Sequence, residues 1–194
     1  MKFPQSLLLT SLLLVSALLI AGFSGCVRLK NAVADKDHFS TDDRIVGKWS
    51  DGENNNITIR RSESDNGIYD FLADEEEESI PFRILKIDEL LIVTAPSHAI
   101  SVGDRVDLDS EEQPASLLCE ISADGTIRLF DWDQAKVAQA VESKELEGTV
   151  VRGRLLGRVQ RVKVSSEADD LRKWLKAAGR AAFETKPFMT LTGR

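Results

Sequence analysis

The chain opens on an apolar stretch and settles later into short alternating runs. Residues 7–20 are fourteen consecutive uncharged positions, mostly leucine, behind Met1 and Lys2. A basic start followed by a short apolar segment is the layout of an export signal. It is shorter than the roughly 20 apolar residues that a spanning helix needs. From residue 43 the pattern becomes that of β-structure. Ile57-Thr58-Ile59-Arg60 alternates as a half-buried strand does, Asp65-Asn66-Gly67 supplies turn chemistry, and residues 68–72 return as the partner strand. Residues 80–87 and 89–93 read as two further strands, and residues 101–108 as a weaker one. A second hairpin joins residues 117–121 to 126–130 through Ala123-Asp124-Gly125.

The period then lengthens. Asp131 or Asp133 can cap a helix running to about Ser143, with Trp132, Val137 and Val141 on one side. A Val-rich basic stretch, 149–164, reads as strands split near Gly153 or Gly157. Ser165 and Ser166 precede a second helix whose Leu171, Trp174, Leu175 and Ala178 share a face, with Gly179 as terminator. Residues 184–194 show no clear period and read as a frayed tail. The fold class predicted is α+β: an antiparallel meander, able to curl into a small barrel, packed by two helices. The organisation predicted is a removable leader at 1–25, a tether at 26–42 and one folded domain at 43–194.

Composition narrows the chemistry. The chain has 194 residues, 42% of them hydrophobic, which is too apolar for a wholly disordered protein. Two histidines cannot build a multi-histidine metal site, and two cysteines cannot build a disulfide scaffold. No cofactor or metal is therefore expected. The run Asp74 to Glu78 is five acidic residues without the alternating ligands and glycine of a calcium loop. His98 lies near Ser97 and Asp104, but closeness along the chain does not make a hydrolase triad. Cys119 sits in an apolar run with no neighbouring base and reads as a core residue. A non-catalytic role is the expectation, and an envelope hydrolase ranks last.

Charge is unevenly placed. The net charge is −7, yet residues 26–146 carry 13 basic against 27 acidic side chains and residues 147–194 carry 11 against 5. The two parts can attract each other. Alternatively, Arg152, Arg154, Arg158, Arg161 and Lys163 form a patch for an acidic envelope protein or anionic lipid. Nucleic acid is excluded as a partner by the export signal and the overall negative charge.

Three short motifs carry resemblances. Phe23-Ser24-Gly25-Cys26 follows the apolar leader and resembles the lipobox of bacterial lipoproteins. The resemblance implies diacylglycerol on the Cys26 sulfur, cleavage before it and acylation (for example by palmitate) of the new amino terminus. Cys119 would then be the one thiol left, which rules out an intrachain disulfide. Val27 after the cysteine implies, by the same resemblance, the periplasmic face of the outer membrane. Gly47-Lys48-Trp49 resembles the Gly-x-Trp entry to the first strand of lipocalin-like barrels. That implies barrel-end packing by Gly47 and Trp49, with an arginine such as Arg154, Arg158 or Arg161 across the indole.

Asp43-Arg44-Ile45-Val46-Gly47-Lys48-Trp49, Asp131-Trp132 and the stretch from Ser166 to Leu175 together resemble small bacterial lipoproteins of unassigned role. The leading expectation is a membrane-anchored envelope lipoprotein that works by contact with another envelope component. The alternative is a lipocalin-like carrier of a small apolar ligand.

Overall fold

The structure is a computed structural model that describes residues 27–193 apart from 53–54, 64, 66, 74–78, 97–113 and 154–158. The leader, Cys26, the acidic run, the weaker strand at 101–108, Ser97, His98, Asp104, Arg154 and Arg158 thus lie outside the described residues.

Seven strands follow one another as a meander: β2 (Gly47–Ser50), β3 (Asn56–Arg61), β4 (Tyr69–Ala73), β5 (Ile80–Ile87), β6 (Leu90–Pro96), β7 (Pro114–Ile121) and β8 (Ile127–Phe130). The chain then leaves through helix α1 (Gln134–Glu142), strands β9 (Gly148–Arg152) and β10 (Val159–Val164), and helix α2 (Ala168–Ala178). It comes back as β11 (Met189–Gly193), which pairs antiparallel with both β8 and β2 and closes an eight-stranded barrel. The expected α+β architecture, a curled antiparallel meander packed by two helices, is what the chain adopts. Closure removes the sheet edges that an open meander would expose.

Both expected hairpins form. Ile59 pairs with Phe71 across the first, and Ile121 with Ile127 across the second. The second register turns Ile127, Leu129 and Cys119 inward, while Leu118 and Glu120 face out. Helix α1 is capped by Asp133, whose carboxylate accepts from the Ala135 and Lys136 amides at 3.0 Å. Helix α2 takes no hydroxyl cap from Ser165 or Ser166. Its N-cap is Glu167 with no side-chain hydrogen bond, because Ser166 Oγ is engaged by the Glu147 amide at 2.7 Å. The acids Asp169 and Asp170 still occupy the first turn, where the helix dipole favours them.

Two segments correct the sequence reading. The tail at 184–194 is not frayed: Met189 and Leu191 alternate into the barrel, and β11 completes its wall. Nor is the segment at 27–42 a standoff tether. Strand β1 (Val27–Leu29) pairs parallel with β10, and β9 pairs on β10's other side, giving a separate sheet in the order β1-β10-β9. Val33 and Ala34 are buried, the Ala34 amide donates to Thr94 Oγ1, and Ser40 bridges to Ile84. Arg172 straps the segment down, donating to Val33 O at 2.9 Å and Asp35 Oδ2 at 3.0 Å. Both corrections have one cause. A short strand gains its stability from pairing with distant residues, and local sequence reports that poorly.

Two apolar clusters result. One lies inside the barrel. The other lies between the outer face of β6 to β8 and the cover made by α1, α2 and the three-stranded sheet. Strand β6 borders both, which explains its unbroken Leu90-Leu91-Ile92-Val93 run. On the opposite side, β2 and β3 present Lys48, Thr58 and Arg60 outward. No described helix is long and apolar enough to cross a membrane.

Candidate functional site: an apolar cavity at one end of the barrel

Strand parity sends every second side chain inward, and the inward set is apolar on all eight strands. An eight-stranded barrel is just wide enough for side chains to fill. Filling is complete at one end only. There Tyr69 and Ile84 are fully buried, and the Tyr69 ring stacks on Phe82 at a centroid distance of 5.5 Å. The segment before β2 folds across this end. The Asp42 amide donates to the Tyr69 hydroxyl at 2.9 Å, and Ile45 is buried beneath. Trp49 is 6% exposed, and its Nε1–H donates to Ile45 O at 2.9 Å. Gly193 stands opposite Trp49 on β11, where a Cβ would come within 3.7 Å of the indole.

Toward the other end the described residues leave the interior unfilled. A partly open cavity of about 70 Å³ remains among them, and the described residues of its wall are all apolar. The partly buried Phe71, Ile80, Val93, Leu129 and Met189 line it. The buried Ile59, Phe82, Leu117, Cys119 and Ile127 line it too, and Phe188 stands at 37% exposure beside Met189. The reason is side-chain size and position. Ala95 contributes only a methyl to this level, while the large rings of Trp49 and Tyr69 sit at the other end.

Cys119 faces this cavity. Burial pushes its thiol up to about 12, with the negative charge of Asp42 adding to the effect. The sulfur is therefore a neutral apolar wall atom at physiological pH and not a nucleophile. Among the described residues, no three His, Cys, Asp or Glu side chains come together as a metal-ligand set. His38, near the N-terminal segment's turn, has Nδ1 at 3.0 Å from Asp35 Oδ1.

The residues singled out from sequence are dispersed. Gly47 and Trp49 belong to the filled end of the barrel. Arg161 and Lys163 lie exposed on β10, in the separate sheet, and so do not cross the Trp49 indole. Arg152 is also exposed and makes a two-pronged ion pair with Glu142, at 2.8 and 2.9 Å. None of these lines the cavity. The sequence assigned none of the lining residues to a cavity, and three of them, Phe188, Met189 and Leu191, lie in the stretch it read as a frayed tail. The signal was present as the alternation of Met189 and Leu191, but it is only five residues long. Asp131, beside the first helix, is a buried group perturbed away from the cavity. Burial raises its carboxyl above the ordinary value, the charge of Glu184 adds to this, and a hydrogen bond from the Trp132 amide at 2.7 Å opposes it.

Compared with known proteins, the chain matches no family model, no curated protein and no solved structure.

Proposed function

We propose that this chain is an envelope lipoprotein, anchored through Cys26, whose barrel holds the end of a slender apolar molecule. The observation that carries the binding half is the cavity: partly open, lined by apolar side chains among the described residues and placed inside a closed barrel. Ligand sites are commonly concave, largely preformed and mostly apolar, and barrel mouths are a favoured place for them. The size limits the occupant. Drug-sized ligands take sites of about 300–1,000 Å³, whereas this space is about 70 Å³. A linear alkyl segment entering end-on fits that space, and a fused-ring compound does not. Among the described residues the wall offers no charged group, so a carboxylate or phosphate head would stay outside the apolar space.

The Gly-x-Trp opening and the eight-stranded antiparallel barrel are consistent with lipocalin-like binding and favour it over action purely by contact with an envelope partner. The anchoring half rests on the leader and the lipobox resemblance. No chemical step is part of the proposal.

The test is binding of a fluorescent polyene fatty acid to the purified protein, with displacement by saturated fatty acids of increasing length. Ligand at a hundredfold excess over Kd stabilises the fold by about 2.7 kcal/mol, so thermal unfolding gives a second readout. Ala95→Leu fills the cavity and is expected to abolish binding while the barrel stays folded by circular dichroism. Equal binding by that folded variant, or no binding of any alkyl chain by the wild type, would overturn the reading. Intact mass of the wild type and Cys26→Ser tests the anchor separately: a lipid-sized difference supports it, and identical processing defeats it.

A further inference from the structure

We propose that the exposed face of the β1-β10-β9 sheet lies flat against anionic phospholipid headgroups of the bilayer in which the chain is anchored. The inference rests on the lipidation of Cys26 and adds to it a fixed orientation and a lipid-reading surface.

The sheet has two faces of opposite character. Leu29, Val162 and Val164 point inward and are at most 2% exposed, packed against the barrel's cover. The opposite face is basic. Arg28 on β1 stands beside Lys163 on β10, and Arg161 stands beside Val151 on β9. Lys30 follows at the end of β1, its amide held by Val164 O at 2.9 Å. All four basic side chains are exposed, and among the described residues none of them makes an ion pair. The described strands of this sheet contain no acidic residue. Val151 is the exception to the polarity, an apolar side chain 49% exposed on the edge strand β9 beside Arg161. Cations beside an exposed apolar residue suit a headgroup layer, where the charges meet phosphates and the side chain dips toward the acyl region.

Chain geometry supplies the second argument. Val27 is already the first residue of β1, and Cys26 directly precedes it. An acylated residue 26 therefore sits one Cα step, about 3.8 Å, from the sheet. The segment after it cannot act as a spacer. Asn31 donates to Ser166 O at 2.8 Å, Val33 and Ala34 are buried, and Arg172 holds Val33 and Asp35. Anchor and body are thus one unit. At 0.1 M ionic strength a surface potential decays over about 10 Å; Arg28 is two residues from the anchor, Lys163 stands beside Arg28, and Arg161 precedes the Val162 that pairs with Val27. The acid-rich part of the chain, net −14 over residues 26–146, is repelled by the same surface and favours the same orientation.

An acidic envelope protein would also attract cations. The bilayer is the occupant argued for because the anchor brings it to this face, whatever else is present.

The experiment uses the mature acylated protein in vesicles of phosphatidylglycerol and phosphatidylcholine. A fluorophore is attached at Val151→Cys, or at Lys48→Cys on the far side of the barrel, and quenched by lipids carrying a nitroxide near the headgroup. Cys119 is buried and stays unlabelled. Quenching at 151 is expected to exceed that at 48 several-fold, and to fall toward the level at 48 in Arg161→Gln/Lys163→Gln, in pure phosphatidylcholine and in 1 M salt. Protein that floats with the vesicles yet shows equal quenching at the two positions would sink the orientation while leaving the anchor intact. Quenching at 151 that ignores lipid charge and both substitutions would overturn the recognition of anionic headgroups. Protein that does not float, with no acyl mass, would overturn both anchor and orientation.

Discussion

The two apolar clusters are built from the same residue types but differ in how they are filled. Outside the barrel, Trp132 packs against Phe183 at 4.7 Å and Trp174 at 6.5 Å between ring centroids, and aliphatic side chains from β1, β6, α1, β10 and α2 close around them. Inside, the rings of Trp49, Tyr69 and Phe82 concentrate toward one end, and the other end keeps its cavity. The outer cluster can be filled because its layers are free to approach until they touch. The barrel wall cannot: its radius is set by strand number and tilt, so side chains too small for the interior leave space behind. The outer cluster thereby carries the interlocking of the layers, and the inner one is free to hold something.

Truncation should separate the two most strongly. Trp132→Ala is expected to cost about 3–5 kcal/mol, because the rings around it are held by the cover and cannot collapse. Val93→Ala, at the cavity wall, removes atoms that already lack neighbours on one side and should cost about 1 kcal/mol. Urea unfolding of both variants checks this, and equal losses would break the contrast.

A medium effect concerns the join between the N-terminal segment and the body. Arg172→Ala removes charged hydrogen bonds to Val33 and Asp35, a loss of about 1.5–3 kcal/mol, and amide exchange at Val33 and Ala34 should accelerate with it. Acid should erase much of the difference. Burial alone would raise the Asp35 carboxyl, but hydrogen bonds from Arg172, His38 and two amides outweigh it and hold it below the ordinary value. A carboxylate with a lowered folded-state pKa contributes stability above its unfolded pKa and loses it as pH falls through the folded one. The gap between wild type and variant should therefore narrow below about pH 4.

Asp131 provides the smallest effect, with the opposite sign. Burial and Glu184 raise its carboxyl, so its folded state favours the proton. Its charge costs stability progressively as pH rises from the unfolded carboxylate value through the folded one. Asp131→Asn keeps an acceptor for the Trp132 amide and removes the charge. It should be slightly more stable than wild type at pH 7 and indistinguishable in acid at about pH 3, as judged by unfolding midpoints. A variant less stable than wild type at pH 7 would show that the charge itself helps to orient the start of α1.

Some of this was legible in the residues alone. Alternation over 57–60 and the Asp65-Asn66-Gly67 turn predicted the first hairpin, and the 117–130 stretch the second. Asp133 had the side chain and position of a cap, and Leu171, Trp174 and Leu175 had the spacing of a buried helical face. Each of these signals is local: a turn, a cap or a period is decided by residues within a few positions of one another. They are therefore determined by the sequence read in order. The closing strand β11, the capture of 27–42 as β1 and its strap, and the cavity between Val93, Cys119 and Met189 are not of that kind. Each depends on residues brought together from positions far apart, and a segment of three to five residues has too little local preference to announce its partner. Only the closed wall determined which side chains face one another across the barrel, and so where the interior would be left unfilled.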